Sequence, residues 1–265
     1  MRHYPRKRFG QHFLIDQGVL AQIVAALDLK PKDFVIEIGP GLGALTAPLL
    51  QELDALHAVE LDRDLVASLP RRLGQPVNLV LHQADALAFD FAGLQVSEGQ
   101  GRPCKIVGNL PYNISTPLLL RLLSLPLNSD SWVFMLQAEV AERLVAQPGG
   151  KDYGRLTVMV QYEAEVNWLF EVSPTAFNPP PQVMSAVVRL TPRREKSRLA
   201  QDKTQFAALV QAAFMKRRKT LANALKNRVS AEDFEALGID SSLRPEQLSV
   251  DDFVRLSNRI ARALK

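Results

Sequence analysis

The chain is 265 residues long and 47% hydrophobic, enough for one large domain, or for one such domain with a small appendage, and ample for a core. No apolar run reaches the length needed to span a membrane, and a lone cysteine, Cys104, excludes an intramolecular disulfide and reads as a small buried apolar residue of a strand. The formal net charge of +4 is uneven: from Lys196 onward there are 14 Lys and Arg against 8 Asp and Glu, and before it 18 against 20, so the last part of the chain carries the whole positive surplus.

The start, with Arg2, Arg6, Lys7 and Arg8, is basic but lacks an apolar signal region, which argues against export and for a cytoplasmic protein. Val19 to Leu29 has helical apolar spacing. Five strand candidates follow at Phe34–Ile38, Ala55–Glu60, Val77–His82, Lys105–Val107 and Trp132–Leu136, with helices between most of them and a surface loop expected over Gly93–Pro103. Thr157–Glu163 and Val183–Leu190 read as two further strands, an antiparallel closing pair. Pro192 to Ser197 is polar and reads as a linker. Beyond it, Phe206–Phe214, Thr220–Lys226, Ala231–Leu237 and Val250–Leu264 read as four helices. The expected architecture is α/β over residues 1–192 and a smaller all-helical domain over 198–265.

Two sites stand out. The first is Glu37-Ile38-Gly39-Pro40-Gly41-Leu42-Gly43, which closes one strand and opens the apolar helix Leu45–Leu53. Strand, glycine turn and helix let the backbone approach a ligand closely. The spacing is G-x-G-x-G, so a pyrophosphate cradle is the weaker reading. Glu60, at the tip of the next strand, is placed to accept both hydroxyls of a ribose, and Asp85, after the third, to accept from an adenine amino group. Glycine turn, ribose acid and adenine acid together suit S-adenosylmethionine, with an ordinary nicotinamide-binding turn or a phosphate-free structural turn as the alternatives.

The second site is Asn109-Leu110-Pro111-Tyr112, roughly 70 residues after the glycine turn, at the end of the Lys105–Gly108 run. The Asn109 side-chain oxygen and the carbonyl of Leu110 or Pro111 can accept the two N–H groups of an adenine N6 amine, while Tyr112 stacks on the ring.

At these residues the chain resembles the rRNA adenine N6,N6-dimethyltransferase family, and within it the small-subunit branch. The resemblance runs almost end to end: Arg8 to Leu14, Val35 to Thr46, Gly108 to Ser115, Tyr153 to Leu156, Phe177 to Pro181, Phe214 to Leu221, and Gly238 to Asp240 through Arg244 to Glu246. It implies a seven-stranded Rossmann-like class I methyltransferase fold. The implied reaction is dimethylation of two adjacent adenines in a hairpin near the 3′ end of small-subunit (16S) rRNA, late in subunit assembly. S-adenosyl-L-methionine is the implied cofactor, and no metal is called for. It also implies cofactor contacts from Gln11, His12 and Leu14, which fold over the cofactor, and from Glu37, Gly39, Gly41, Glu60, Asp85, Ala86 and Asn109. Phe177, on the stiff Asn178-Pro179-Pro180-Pro181 loop, is implied as the aromatic that clamps the flipped base opposite Tyr112. His12 is not read as a metal ligand, because His3, His57 and His82 are scattered.

The basic stretch Lys216-Arg217-Arg218-Lys219 is expected on a helix continuing through Leu221 and Leu225, and with Arg6, Lys7 and Arg8 it reads as a second contact with RNA phosphates. Gln182, Met184 and Ala138 depart from the family pattern, where a lysine, an aspartate and a lysine are usual. Those departures touch surface contacts, not the reaction. Three other readings stay open: a large-subunit rRNA methyltransferase of the antibiotic-resistance type, a ribosome-assembly factor acting mainly by binding, and a nicotinamide dehydrogenase that would leave Asn109 and Tyr112 without a role. No oligomerising stripe is evident, so a monomer is expected.

Overall fold

The computed structural model describes residues 11–193, 200–216 and 218–263. Arg6, Lys7, Arg8 and Arg217 lie outside them. The chain divides into two units, one formed by the residues up to Ala141 together with Val166–Pro192, the other by Glu142–Glu165 and the residues from Arg193 onward.

The first unit is built on a seven-stranded sheet. Its strands are β2 (Phe34–Ile38), β3 (Leu56–Glu60), β4 (Leu79–Gln83), β5 (Cys104–Asn109), β6 (Ser129–Gln137), β7 (Ala164–Val172) and β9 (Ser185–Pro192), in the order β4-β3-β2-β5-β6-β9-β7. β2 to β6 run parallel and β9 runs antiparallel to β6. A separate two-stranded pair joins β1 (Phe13–Leu14) to β8 (Phe177–Asn178). β2 and β3 are buried at every position, as strands covered on both faces must be. On one face Val35, Leu56, Val107, Val133 and Val187 cluster with Leu20, Ile23 and Leu27, from α1 (Gln17–Ala26) and its end, and with Leu49 of α2 (Thr46–Glu52). The alternating residues Ile36, Ile38, Ile106, Trp132 and Phe134 are equally buried and point to the other face. Asp16 caps α1 by accepting from the Val19 N–H at 3.0 Å.

The second unit has its own core. Tyr153, Val158 and Tyr162 of the 142–165 segment cluster with Phe206, Leu209 and Ala213 of α8 (Lys203–Phe214), with Leu221 and Leu225 of α9 (Leu221–Leu225), with Phe234 of α10 (Ala231–Leu237), and with Phe253 and Leu256 of α11 (Val250–Ala263). Tyr162 stacks on Phe206 at 4.2 Å between ring centroids, and its hydroxyl accepts from the Ala200 N–H at 3.0 Å.

Three sequence expectations are corrected. Thr157–Glu163 is not a strand but most of α7 (Arg155–Glu163), and the strand follows it as β7. Its β-branched alternation misled because Thr157, Val158, Val160 and Tyr162 are all buried, so the helix shows no single apolar stripe. Gly93–Pro103 is not all loop. Its first half lies in α4 (Phe91–Glu98), capped by Asp90, whose carboxylate accepts from the Gly93 N–H at 2.8 Å. Lys216, Arg218 and Lys219 of the basic stretch are not helical either. α8 ends at Phe214 and α9 begins at Leu221, and between them the Lys219 N–H donates to the Lys216 carbonyl in a turn. Cations directly after a helix C-terminus suit the dipole there, whereas within a helix they would repel one another.

Candidate active site at the switch point of the sheet

The strand order reverses at β2: β3 and β4 lie to one side, β5 and β6 to the other. A cavity opens at the carboxyl ends of these strands, where open α/β sheets bind their ligands. Its walls carry most of the residues singled out from sequence: Gln11, His12 and Leu14, Glu37, Gly39, Gly41, Glu60, Asp85 and Ala86, and Asn109 to Tyr112. Segments separated by up to a hundred residues in sequence are thereby brought together by the parallel register of β2, β3 and β5.

The glycine turn is shaped by need. Gly39, Gly41 and Gly43 have φ values of +71°, +57° and +90°, a region costly for other residues. A Cβ on Gly43 would sit 2.7 Å from Leu69 Cδ1. The Gly41 N–H donates to Glu60 Oε2 at 3.2 Å and the Asp62 N–H to Oε1 at 2.8 Å, so Glu60 ties the turn to the end of β3. Burial raises the Glu60 pKa, against the pull of those two N–H groups.

Glu37 is more extreme. It is 1% exposed, and its Oε2 has no hydrogen-bond partner among the described residues. Burial pushes its pKa up to about 8; the Thr46 hydroxyl opposes the rise and the Glu60 charge adds to it. Asp85 is exposed, with Oδ1 accepting from the Leu87 N–H at 2.8 Å, and Ala86 beside it is buried.

At the end of β5, Asn109 Nδ2 donates to the His12 carbonyl at 3.0 Å. The amide nitrogen is therefore committed and the side-chain oxygen is directed elsewhere. The Pro111 carbonyl accepts from the Ile114 and Ser115 N–H groups, both at 3.1 Å, as it starts α5 (Ser115–Ser124). The Leu110 carbonyl takes no part in that turn, so of the two carbonyls considered it is the better acceptor for a ligand. Tyr112 faces the His12 ring at 5.8 Å and 25° between planes, and its hydroxyl lies 2.7 Å from that of Ser185. Burial raises the Tyr112 pKa, and Ser185 opposes the rise.

The segment Gln11–Leu14 is strapped over the cavity. Gln11 Nε2 donates to Asp62 Oδ2 at 3.4 Å, His12 Nδ1 lies 2.8 Å from the Pro179 carbonyl, and β1 pairs with β8. A Cβ on Gly41 would lie 3.1 Å from the Phe13 ring, so the strap sits directly on the glycine turn.

Phe177 is the exception among the expected site residues. It is 3% exposed, belongs to the core cluster and does not line the cavity. Its strand β8 pairs with β1, and the register sets Phe177 opposite Leu14 of the strap. Sequence reasoning passed over Leu61, half-exposed on the cavity wall directly after Glu60, and Ser185. It also treated His57 and His82 as scattered, whereas β3 and β4 set them 3.2 Å apart. Among the described residues, no group of three or more His, Cys, Asp or Glu can hold a metal. No helix among them is long and apolar enough to cross a membrane.

The sheet order and the cavity at its switch point, with a glycine turn, a strand-end acid and an Asn-Leu-Pro-Tyr turn, define a Rossmann-like methyltransferase. A solved dimethyladenosine transferase from Plasmodium falciparum superposes with a TM-score of 0.80 at 28% identity, covering 92% of this chain and 96% of its own. The 23S rRNA methyltransferase ErmE does so with a TM-score of 0.72 at 25% identity, covering 94% and 99%. The model of the ribosomal RNA adenine dimethylase family matches residues 2–262, and the chain belongs to that family. Proteins named ribosomal RNA small subunit methyltransferase A are similar over nearly the whole chain. That of Chromobacterium violaceum is 55% identical over 260 residues, 98% of this chain and 97% of its own. That of Laribacter hongkongensis is 53% identical over 258 residues, 97% of each.

Proposed function

We propose that this protein transfers methyl groups from S-adenosylmethionine to the N6 atoms of two adjacent adenines in a hairpin near the 3′ end of small-subunit (16S) rRNA. The product is N6,N6-dimethyladenosine, and the protein acts as a cytoplasmic monomer on a small subunit late in assembly. One observation carries the chemistry: the Asn109 amide nitrogen is held by the His12 carbonyl, which leaves its oxygen as an acceptor at the end of β5, beside the Tyr112 ring. Near-full-length identity of about half to relatives named for the small subunit supports that substrate over large-subunit RNA.

The cavity residues fit the cofactor. A buried carboxyl with an unpartnered oxygen, Glu37, suits a cationic amino group. Each Glu60 oxygen accepts one backbone N–H and keeps a lone pair for a ribose hydroxyl. Asp85 and the buried Ala86 suit an adenine amine and its ring edge. When bound, the cofactor supplies an electrophilic methyl group on a sulfonium.

The chain's own residues deal with the other reactant, an exocyclic amine whose lone pair is delocalised into its ring. Asn109 Oδ1 and the Leu110 carbonyl accept its two N–H groups. They favour a pyramidal nitrogen and turn the lone pair toward the methyl group. Positioning and hydrogen bonding supply the rate. The amine proton becomes acidic once the nitrogen is alkylated, so no base with a shifted pKa is needed before attack.

The test is methyl transfer from labelled S-adenosylmethionine to under-methylated small subunits, with large subunits and naked rRNA in parallel, followed by nucleoside analysis. Dimethyladenosine from small subunits alone is expected. Label in large-subunit RNA would move the protein to the resistance-type activity. Cofactor binding with no label anywhere would favour a binding factor.

A further inference from the structure

Ser185 is the first residue of β9, fully buried and held opposite Gln137, the last residue of β6, at the carboxyl end of that strand. Its hydroxyl is 2.7 Å from the Tyr112 hydroxyl, across 73 residues of sequence. The Tyr112 ring lines the cavity, whereas the Ser185 side chain does not. At its other end, the Tyr112 backbone is held by the Ser115 hydroxyl, which donates to its carbonyl at 3.2 Å. The ring is thus pinned at both ends, to α5 through the backbone and to the sheet through the phenol. An aromatic ring with a fixed tilt is what an unpaired base needs to stack with its amine at a set height. A ring free to swing about its Cα–Cβ bond would not hold the amine in line with a methyl donor.

We propose that Ser185 is a positioning residue for methyl transfer: by fixing the Tyr112 phenol, it sets the plane on which the target base stacks beside Asn109. The proposal rests on the methyl-transfer reading above. Ser185 touches neither reactant and acts through the Tyr112 hydroxyl alone. Removing either hydroxyl should therefore do the same harm, and removing both should do no more. Loss of alignment at this scale costs about ten- to a hundredfold in rate.

The experiment is a double-mutant cycle on the full chain. Ser185→Ala, Tyr112→Phe and the double variant are compared for single-turnover methylation of saturating small subunits, and for S-adenosylmethionine affinity by calorimetry. Each single variant is expected to lose about tenfold or more in rate, the double variant no more than either, and cofactor affinity to stay within about twofold. Ser185→Thr, which keeps the hydroxyl, should recover most of the rate. Wild-type rate in Ser185→Ala, or losses that multiply in the double variant, would overturn the proposal. If Ser185→Ala fails to fold because it leaves a buried phenol unpaired, the double variant, which leaves none, carries the decision against Tyr112→Phe alone. Wild-type protein that methylates none of the RNAs would overturn the methyl-transfer reading and this proposal with it. An active wild type with unimpaired serine variants would overturn this proposal alone.

Discussion

A carboxyl group held 1% exposed with one oxygen unpartnered, as Glu37 is, has to hold its proton or meet a cation. Its pKa rises from an ordinary 4.5 to about 8 in the folded protein. Between those values the folded protein keeps a proton that the unfolded chain has released. The stability this group contributes is therefore intact below the lower value, falls as pH rises, and is gone above the upper one. At about 1.4 kcal/mol per unit, a few kcal/mol are at stake. Glu37→Gln should thus melt higher than the natural protein at pH 9 and the same at pH 4. Thermal melts of the two proteins from pH 4 to 9 check this, and parallel curves would remove the assignment. For Asn109, loss of the acceptor oxygen is expected to cut methyl transfer by at least about a hundredfold in Asn109→Ala. Cofactor affinity should fall by less than about tenfold, since the strap keeps its ties to Asp62 and Pro179. An Asn109→Ala enzyme of natural rate would mean that the amine is activated some other way.

The strand that presents Asn109 is fitted closely against its neighbour. A Cβ on Gly108 would stand 2.5 Å from the Ile38 carbonyl oxygen of β2, and neither backbone can give way without breaking the ladder between them. Gly108→Ala should lower stability by about 2–4 kcal/mol, read from the denaturant midpoint, and cost activity through Asn109 even where the protein folds. An unchanged midpoint would mean that β2 and β5 part more easily than their register implies. β2, β3 and β5 were legible in the sequence because a strand covered on both faces is a short unbroken apolar run bounded by a turn. β7 was not: its residues alternate weakly at the sheet's end, and the more strand-like composition just before it folds into α7. Tertiary burial, absent from any local pattern, decided that case. The two-residue strands β1 and β8 were invisible for a different reason, since they exist only by virtue of each other.

On the scale of the whole chain, the legible part of the site was the order of its motifs, since Gly39, Gly41, Glu60, Asp85 and Asn109 end, or closely follow, strands that the sheet sets side by side. The pairing of Ser185 with Tyr112 was not legible, because it depends on β9 returning antiparallel beside β6. Charge acts at this scale too. Lys216, Arg218 and Lys219 are exposed in the turn before α9, and replacing all three with alanine should weaken RNA binding and reduce the slope of log affinity against log salt by about two. A slope that stays as steep would mean that these cations face solvent in the complex. The second unit takes one piece, Glu142–Glu165, from the middle of the chain and the rest from its end. As the chain emerges during its synthesis, Tyr153, Val158 and Tyr162 are delivered well before Phe206 and Phe253, which cover them. Until those helices are made, that segment waits with its apolar side chains uncovered, so cutting the chain just after Pro192 removes Phe206, Leu209 and Phe253 and leaves α7 without the core it packs on.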